Sequence, residues 1–388
     1  MNSSHKSDIS AFKSAYLLLM RTAQRSVNTI NQDPHHLAIF CQTLSDALEN
    51  KDKLIHIVGV GRSRLIGMIL GECLKNIGFS SRVFYLGENI IQPVKKNDVV
   101  IAITGSGWTK LTTMVLEEVV RKKSIVLTFT GALDSKAAKL SDGVIQCPMG
   151  YHPQDHISLF TREHDPLSPL GTIFELTAMI TGFGVINGVH KGSCTKGFNE
   201  ATTEILRSAE NTFNDLEHNP RLTTLMEFLS DYCFKPDSKV FFYGNGINSI
   251  VATMSSLRLQ SLGMKVLSIN DWRFRREGDL LITLSGSGTS SMMLKMIENA
   301  KMSQLKVFSI TSSSQSQIAK KSDEFLVISG RNLKTILENL QLTKYEMYFP
   351  KFEYATSITF ESCIAQLAKN LGIPEHPSME SHSLDVNS

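Results

Sequence analysis

Two short loops in this chain combine glycines with hydroxyl side chains in a way that suits anion binding. The first reads GVGRS over residues 59–63, and the second reads TGSGWT over residues 104–109. Glycines let the backbone approach an anion closely, a following helix N-terminus offers free N–H donors, and hydroxyls add further donors. Such loops also occur as ordinary strand-to-helix turns. Because there are two of them, they favour a site for one phosphate group.

Both loops occur again in the second half of the chain, as GNGIN over residues 244–248 and SGSGTS over residues 285–290. The flanking sequence repeats with them, and the offset between matching residues stays between 181 and 186, from Gly59 and Gly244 to Glu175 and Glu361. Solenoid proteins repeat at roughly 20–50 residues. The repeat therefore indicates a duplicated globular domain.

The elements that position these loops are short apolar runs alternating with longer amphipathic ones. The runs are nearly continuous, which indicates strands buried on both faces, and the alternation predicts an α/β fold with a parallel, doubly wound sheet in each half. Ligands of such sheets sit beyond the carboxyl ends of the strands, where the loops fall. The predicted strands are residues 54–58, 82–86, 99–103, 124–129 and 144–147, then 240–243, 266–269, 280–284, 307–310 and 325–328.

Length and composition agree with two soluble domains joined by a Gly/Ser/Lys-rich link over residues 190–197. The net charge is +3, from 40 Lys and Arg against 37 Asp and Glu, and there is no basic run, so no nucleic-acid partner is expected. The six cysteines form no C-x-x-C pair, which predicts reduced, buried thiols. No signal peptide and no run of about 18 apolar residues is evident, which predicts a cytoplasmic protein without membrane contact.

Two other classes of site fit the sequence poorly. Gly-x-Gly after the first strand resembles a dinucleotide fingerprint, but Arg64 or Ser249 replaces its third glycine. The acidic residues Glu88 and Asp271 follow nearer 30 than the expected ~20 residues on. The histidines lack the spacing of a metal site, and no catalytic motif of the H-E-x-x-H, G-x-S-x-G or P-loop type occurs.

The motifs in their order resemble the sugar isomerase (SIS) domain family, and the first half is most similar to 6-phospho-3-hexuloisomerase. The matching stretches are GVGRSRLIG, LGENIIQP, AITGSGWT, DSKAAKLSD and PLSPLGTIFE, which span nearly all of residues 10–190. Residues 198–388 resemble the same family more loosely. The resemblance implies two tandem SIS domains, over residues 1–192 and 196–388, each a flavodoxin-like αβα sandwich with a five-stranded parallel sheet.

The resemblance also implies a function and the residues that perform it. Such isomerases bind a sugar phosphate at a dimer interface, need no metal or other cofactor, and move a proton between neighbouring carbons through an enediol. Glu175 is the implied base, and His382 matches a histidine near the family's C-terminus. The implied phosphate-binding residues are Gly61, Arg62, Ser63, Thr104, Gly105, Ser106 and Thr109.

Departures from the family pattern differ between the halves. The second half has Ile247 in place of Arg62, and its other counterparts are Asn248, Ser285, Ser287, Ser290 and Glu361. Trp108 stands where the family usually has an acidic residue. These differences predict an internal pseudo-dimer with one competent site, made from first-half loops and His382. The alternative is a non-catalytic phosphosugar-binding regulatory protein, and whether two chains associate further is left open.

Overall fold

Helices and strands alternate along both halves of the chain. The computed structural model describes residues 8–87, 92–149, 172–235, 237–330 and 350–372. The first half contains α1 (Ser10–Gln32), α2 (His35–Glu49), β1 (Ile55–Gly59), α3 (Arg62–Leu74), β2 (Val83–Tyr85), β3 (Val99–Ile103), α4 (Lys110–Arg121), β4 (Ile125–Thr130), α5 (Lys136–Lys139), β5 (Gly143–Gln146) and α6 (Thr172–His190). The second half contains α7 (Cys194–Leu216), α8 (Pro220–Phe234), β6 (Val240–Gly244), α9 (Ile247–Ser261), β7 (Val266–Leu267), β8 (Leu280–Ser285), α10 (Ser291–Met302), β9 (Lys306–Thr311), α11 (Gln317–Lys321), β10 (Glu324–Val327) and α12 (Lys351–Asn370).

Each half has a five-stranded parallel sheet, and the two sheets share one topology. Their strand orders are β2-β1-β3-β4-β5 and β7-β6-β8-β9-β10. The predicted fold class is therefore confirmed, and every predicted strand overlaps an observed one. Strand β7 is shorter than predicted because the chain turns into a 3₁₀-helix over Ile269–Phe274, where the Ser268 hydroxyl accepts a hydrogen bond from the Asn270 amide.

Helices cover both faces of each sheet. On the outer face of the first sheet, Val58 and Val100 pack with Leu116 and Val119 of α4. The outer face of the second sheet has an equivalent cluster, in which α10 packs on β6, β8 and β9. The inner faces contribute to one continuous hydrophobic core that includes residues of both halves. The two sheets therefore share the helical layer between them.

In that layer, each half packs its leading helix against the other half. Helix α1 packs against α12, and α7 packs against α6, so the leading helix of each half contacts the last helix of the other. The Tyr16 hydroxyl donates to the carbonyl of Ala209 at 2.9 Å. Gln366 Oε1 accepts from the amides of Ala11 and Phe12, at 3.0 and 3.1 Å, and so satisfies the N-terminus of α1. Because these contacts are reciprocal, they correspond to a pseudo-twofold relation between the halves.

Helix α6 is the most apolar element and lies in the middle of this layer. Among the described residues it is the one helix long and apolar enough to cross a membrane, which corrects the expectation that no such stretch exists. However, 94% of its apolar window is buried inside the protein. Its length and composition are thus those of a central core helix, packed against α3, α7 and α12.

Two expectations about the region between the halves are wrong. The link is shorter than predicted, because α6 continues to His190 and α7 already begins at Cys194. Cys194 also forms a disulfide with Cys41 on α2, with the two Cα atoms 5.9 Å apart, whereas reduced thiols were expected. The sequence could not show this pair, because only the packing of α2 beside α7 brings together residues 153 positions apart. Cys73, Cys147 and Cys363 are buried free thiols, as predicted.

Candidate functional site

The first glycine loop connects β1 to α3 at the carboxyl edge of the first sheet. Gly61 has φ +59°, a left-handed conformation that glycine adopts without strain, and no side chain caps the first turn of α3. Gly59 lies so close to the backbone of Arg64 that a Cβ there would be 2.9 Å from its nitrogen. Ser63 stands in this first turn, half-buried. The turn therefore presents amide donors and a hydroxyl where the sequence predicted them.

The second loop lies next to the first because β1 and β3 are neighbours, with Gly59 in register with Ile103. Thr104 is buried, and its hydroxyl donates to that of Thr109 at 3.5 Å. Ser106 Oγ accepts from the amide of Trp108 at 3.2 Å. The two predicted phosphate-binding loops therefore share one edge of the sheet, and their hydroxyls lie in adjacent turns.

Glu175 lies in the first turn of α6 and is 4% exposed. The second loop packs against the same turn, since a Cβ on Gly105 would be 3.3 Å from the ring of Phe174. Glu175 Oε1 is 3.2 Å from Arg62 Nε, and Glu175 Oε2 has no hydrogen-bond partner within the described part of the chain. The predicted base and the predicted phosphate-binding arginine are therefore in direct contact.

Burial raises the pKa of Glu175 to about 7, because a charged carboxylate loses its hydration in the core. The neighbouring Arg62 opposes this effect and lowers the pKa, while the negative charge of Glu361 raises it and Arg258 lowers it. A carboxyl with a pKa near neutrality can both release and take up a proton at physiological pH, as a general base requires.

Glu361 of the second half reaches the same place from α12. Its Oε2 accepts from Arg258 Nε at 3.0 Å and from the Thr172 hydroxyl at 3.1 Å, and its Oε1 is 3.8 Å from Arg62 Nη1. The two equivalent glutamates, Glu175 and Glu361, therefore meet at the interface between the halves. Sequence analysis did not single out Arg258. The signal that could have found it is a charged residue in the otherwise apolar and small-residue stretch of α9, where the first half has Cys73.

The equivalent loops of the second half are arranged differently. Asn248, the counterpart of Ser63, is buried, and its Nδ2 donates to Glu353 Oε1 at 3.1 Å. Ser285 is buried as well, and its Oγ accepts from the amide of Gly288 at 3.2 Å. Ser287 is half-buried, and Ser290 precedes α10 without a capping hydrogen bond. The second-half loops thus differ from the first-half loops in that Asn248 is committed to Glu353 and Ile247 supplies no charge.

Several predicted residues lie outside the described ranges. His382 is one of them, and so are residues 88–91 of the LGENIIQP stretch and residues 166–171 of the PLSPLGTIFE stretch. Within the described ranges, no group of three or more His, Cys, Asp or Glu side chains is arranged to hold a metal ion. The site is therefore defined here by its two loops, Arg62 and the paired glutamates.

This fold and this pair of hydroxyl-rich loops define the class of protein. Residues 48–162 and 234–345 match the SIS domain, and these two segments together cover more than half of the chain. The chain therefore belongs to the SIS domain family, with one matching segment in each half. The resemblance inferred from the sequence motifs is confirmed.

Curated relatives match about one half of the chain. An uncharacterized protein of Aeropyrum pernix is 36% identical over 165 residues, which are 41% of this chain and 76% of that protein. The 3-hexulose-6-phosphate isomerase of Bacillus subtilis is 26% identical over 164 residues, which are 42% of this chain and 85% of that enzyme. The similarity to relatives named as isomerases is thus lower than the similarity to the uncharacterized one.

Solved structures match nearly the whole chain. A putative phosphosugar isomerase of Silicibacter pomeroyi superposes with a TM-score of 0.65 at 12% identity, covering 94% of this chain and 99% of that one. A putative tagatose-6-phosphate ketose/aldose isomerase of Clostridium novyi superposes with a TM-score of 0.65 at 14% identity, covering 95% and 91%. At these identities the likeness shows a common fold of two linked αβα units.

Proposed function

We propose that this chain is a sugar-phosphate isomerase that interconverts a 3-hexulose 6-phosphate and fructose 6-phosphate, with Glu175 as the base. The observation that carries the proposal is the state of Glu175, a buried carboxyl with a pKa of about 7 and one oxygen without a partner among the described residues. It lies beside two loops suited to a phosphate. The similarity to enzymes named 3-hexulose-6-phosphate isomerase supports the choice of substrate.

The proposed reaction is a proton transfer between neighbouring carbons. Ionised Glu175 removes the proton from C2 of the 3-ketose, the electron pair forms the C2–C3 double bond of an enediol, and the C3 oxygen takes a proton from water. Protonated Glu175 then returns its proton to C3 while the C2 hydroxyl gives its own proton back to water, which leaves the ketone at C2. The atoms and charges therefore balance with water as the only partner in the exchange of oxygen-bound protons. Arg62 stands beside Glu175, where its charge favours the ionised base.

The phosphate of the substrate is proposed to bind the two first-half loops, through Ser63, Thr104, Ser106 and Thr109. Each hydrogen bond to a charged group contributes roughly 1.5–3 kcal/mol, so Ser106→Ala should weaken binding of fructose 6-phosphate about tenfold or more. Isothermal titration calorimetry measures this change. Thr29→Ala, which removes an exposed hydroxyl on α1, is the matched control. No binding by the wild-type protein at millimolar ligand would exclude the proposed site.

The experiment that tests the reaction is a coupled assay that converts fructose 6-phosphate as it forms from 3-hexulose 6-phosphate. Glu175→Gln keeps the shape of the side chain but cannot accept a proton, so turnover should fall by about 100-fold or more. Glu324→Gln, which alters a carboxylate paired with Arg221 away from the site, should have no effect. Turnover by Glu175→Gln equal to that of the wild type would show that Glu175 is not the base.

A second function is also compatible with one observation. Glu175 is already paired with Arg62, as expected of a structural ion pair, and this favours a protein that binds a phosphosugar without converting it. Such a regulator would bind fructose 6-phosphate in the calorimeter and show no turnover in the coupled assay. The two experiments together therefore separate the enzyme from the regulator.

We also propose one binding site per chain, in the first half, with His382 contributing from the second half. Ile247 removes the charge that Arg62 supplies, and Asn248 is committed to Glu353. The expected stoichiometry in a titration is one sugar phosphate per chain, and His382→Ala should lower turnover. Two equivalent sites per chain would contradict the asymmetry, and unchanged turnover in His382→Ala would contradict the role of that histidine.

A cytoplasmic location belongs to the same proposal, since the proposed substrate is an intracellular type of metabolite. The disulfide between Cys41 and Cys194 counts against it, because such bonds are uncommon in the cytosol of most organisms. Alkylation of the cysteines in freshly lysed cells, followed by mass analysis, reports whether this pair is oxidised in place.

A further inference from the structure

Four charged side chains at the interface between the halves form a connected row. It begins at Arg258 on α9, whose Nε donates to Glu361 Oε2 at 3.0 Å. Glu361 Oε1 faces Arg62 Nη1 at 3.8 Å, and Arg62 Nε is 3.2 Å from Glu175 Oε1. The row therefore starts with two residues of the second half and ends on the proposed base of the first half.

We propose that Arg258 and Glu361 are positioning residues, which hold the Arg62 guanidinium against Glu175 and so complete the first-half site from the second half. This inference rests on the proposed function, because it assigns a role within the same site.

Exposure along the row agrees with this division of roles. The side chain of Arg62 is 17% exposed, whereas those of Glu361, Arg258 and Glu175 are 7%, 6% and 6% exposed. Arg62 is therefore the member with most access to solvent and to a ligand, and the Arg258–Glu361 pair lies behind it. The pair is linked to Glu175 through the Arg62 guanidinium, so it acts through that arginine.

Glu175 and Glu361 occupy equivalent positions in the repeat, but their carboxylates have different hydrogen-bond and ion-pair partners. Both oxygens of Glu361 have partners, since Oε2 accepts from Arg258 and from Thr172 while Oε1 faces Arg62. Glu175 has a partner on Oε1, and its Oε2 has none among the described residues. Glu361 is thus fixed in place, and Glu175 retains an oxygen that can accept a proton.

The pair also keeps Arg62 in place when Glu175 changes charge. Once Glu175 is protonated, its attraction for the guanidinium falls. Glu361 still places a negative charge 3.8 Å from Nη1 of the same guanidinium. Arg258 compensates that charge within the core, where an uncompensated carboxylate is costly. The first half cannot supply this arginine, because it has Cys73 at the equivalent position.

The first test is turnover by Arg258→Lys, which keeps the positive charge but loses the rigid planar group that orients Glu361. We expect kcat to fall about tenfold or more, with KM changed less than about threefold, because the hydroxyls proposed to bind the phosphate, Ser63, Thr104, Ser106 and Thr109, are untouched. Arg221→Lys is the matched control, since it alters another Arg–Glu pair of the second half outside the site. Unchanged kcat in Arg258→Lys overturns the proposal.

The second test does not depend on turnover. Urea unfolding at pH 8.5 is measured for the wild type, Arg258→Lys, Glu175→Gln and the double variant. Arg258 and Glu175 do not touch. If Arg258 positions Arg62, the effects of Arg258→Lys and Glu175→Gln on unfolding should nevertheless be coupled. The unfolding equilibrium constant of the double variant should then differ from the additive value by roughly threefold or more. Additive effects overturn the proposal even if kcat falls. If Arg258→Lys does not fold, the isosteric Glu361→Gln replaces it in both tests.

These tests distinguish two failures. If the wild-type protein converts no sugar phosphate, the proposed function is refuted. The coupling measured by urea unfolding then tests by itself whether the second half positions Arg62.

Discussion

Burial and the charge of Arg62 shift the pKa of Glu175 in opposite directions. Loss of hydration raises its pKa, the contact with Arg62 lowers it, and the result is a pKa of about 7. The sequence indicated the residue but not this value, because the value depends on how deeply the first turn of α6 is buried. The same side chain therefore links the stability of the protein to its proposed chemistry.

The first prediction concerns pH. The folded pKa of Glu175, about 7, is above its ordinary value of 4.5, so the folded state holds the extra proton between these values. The free energy of unfolding, measured relative to Glu175→Gln, should therefore fall as pH rises from about 4.5 to 7, by about 3 kcal/mol at most. Over the upper part of this range kcat/KM should rise, because the base must be ionised. Urea unfolding and initial rates measure the two effects.

A difference between the wild type and Glu175→Gln that did not vary with pH would show that Glu175 titrates at its ordinary value. In that case a rise of kcat/KM near pH 7 would have to come from another group.

At the scale of elements, the second loop depends on a backbone shape that few residues can adopt. Gly107 has φ +69° and lies against Ser135, which is fully buried and caps α5 by accepting from the amide of Ala138. A Cβ at Gly107 would be 2.0 Å from Ser135 Oγ, so the serine could not stay in place. The loop and α5 are thus coupled through one contact.

The second prediction is that Gly107→Ala destabilises the protein and weakens sugar-phosphate binding together. Backbone strain and the clash with Ser135 should lower the free energy of unfolding by about 2–4 kcal/mol. Gly61→Ala is the comparison for stability, because Gly61 has a similar φ of +59° and nothing within 4 Å of its Cβ position, so strain alone should cost about 1–2 kcal/mol. Equal losses in the two variants, measured by urea unfolding, would show that the contact with Ser135 contributes nothing.

At the scale of the whole molecule, the exchange of α1 and α7 joins the halves into one core. The N-terminus of α1 is satisfied by Gln366 of α12, and the central hydrophobic cluster includes residues of both sheets. The predicted boundaries, residues 1–192 and 196–388, describe the repeat in the sequence and stay a prediction for independent domains. Packing of this kind favours unfolding of both halves together.

The third prediction is a single cooperative transition, which the two tryptophans can report separately. Trp108 lies in the first half and Trp272 in the second, so Trp108→Phe and Trp272→Phe each leave one fluorescent probe. For each variant, the urea midpoint measured by fluorescence should coincide with the midpoint measured by circular dichroism. A fluorescence midpoint clearly displaced from the circular dichroism midpoint in either variant would show that the halves unfold independently.

The repeat, the strands and the two glycine loops could be predicted from the sequence alone. These features are local, because continuous apolar runs, glycine turns and the order of motifs are all read along the chain. Every predicted strand was found, and the resemblance to the SIS domain family was confirmed. Even the asymmetry between Arg62 and Ile247 is visible in the sequence.

The contacts among the charged residues could not be predicted in this way, because they depend on how the helices pack. Arg258 and Glu175 are 83 positions apart in the sequence, and no local pattern brings α9, α12, α3 and α6 to one point. The disulfide between Cys41 and Cys194 arises in the same way, from helices that pack although they are distant along the chain. Desolvation and charge pairing depend on such non-local packing, which is why the state of Glu175 could not be read from the sequence.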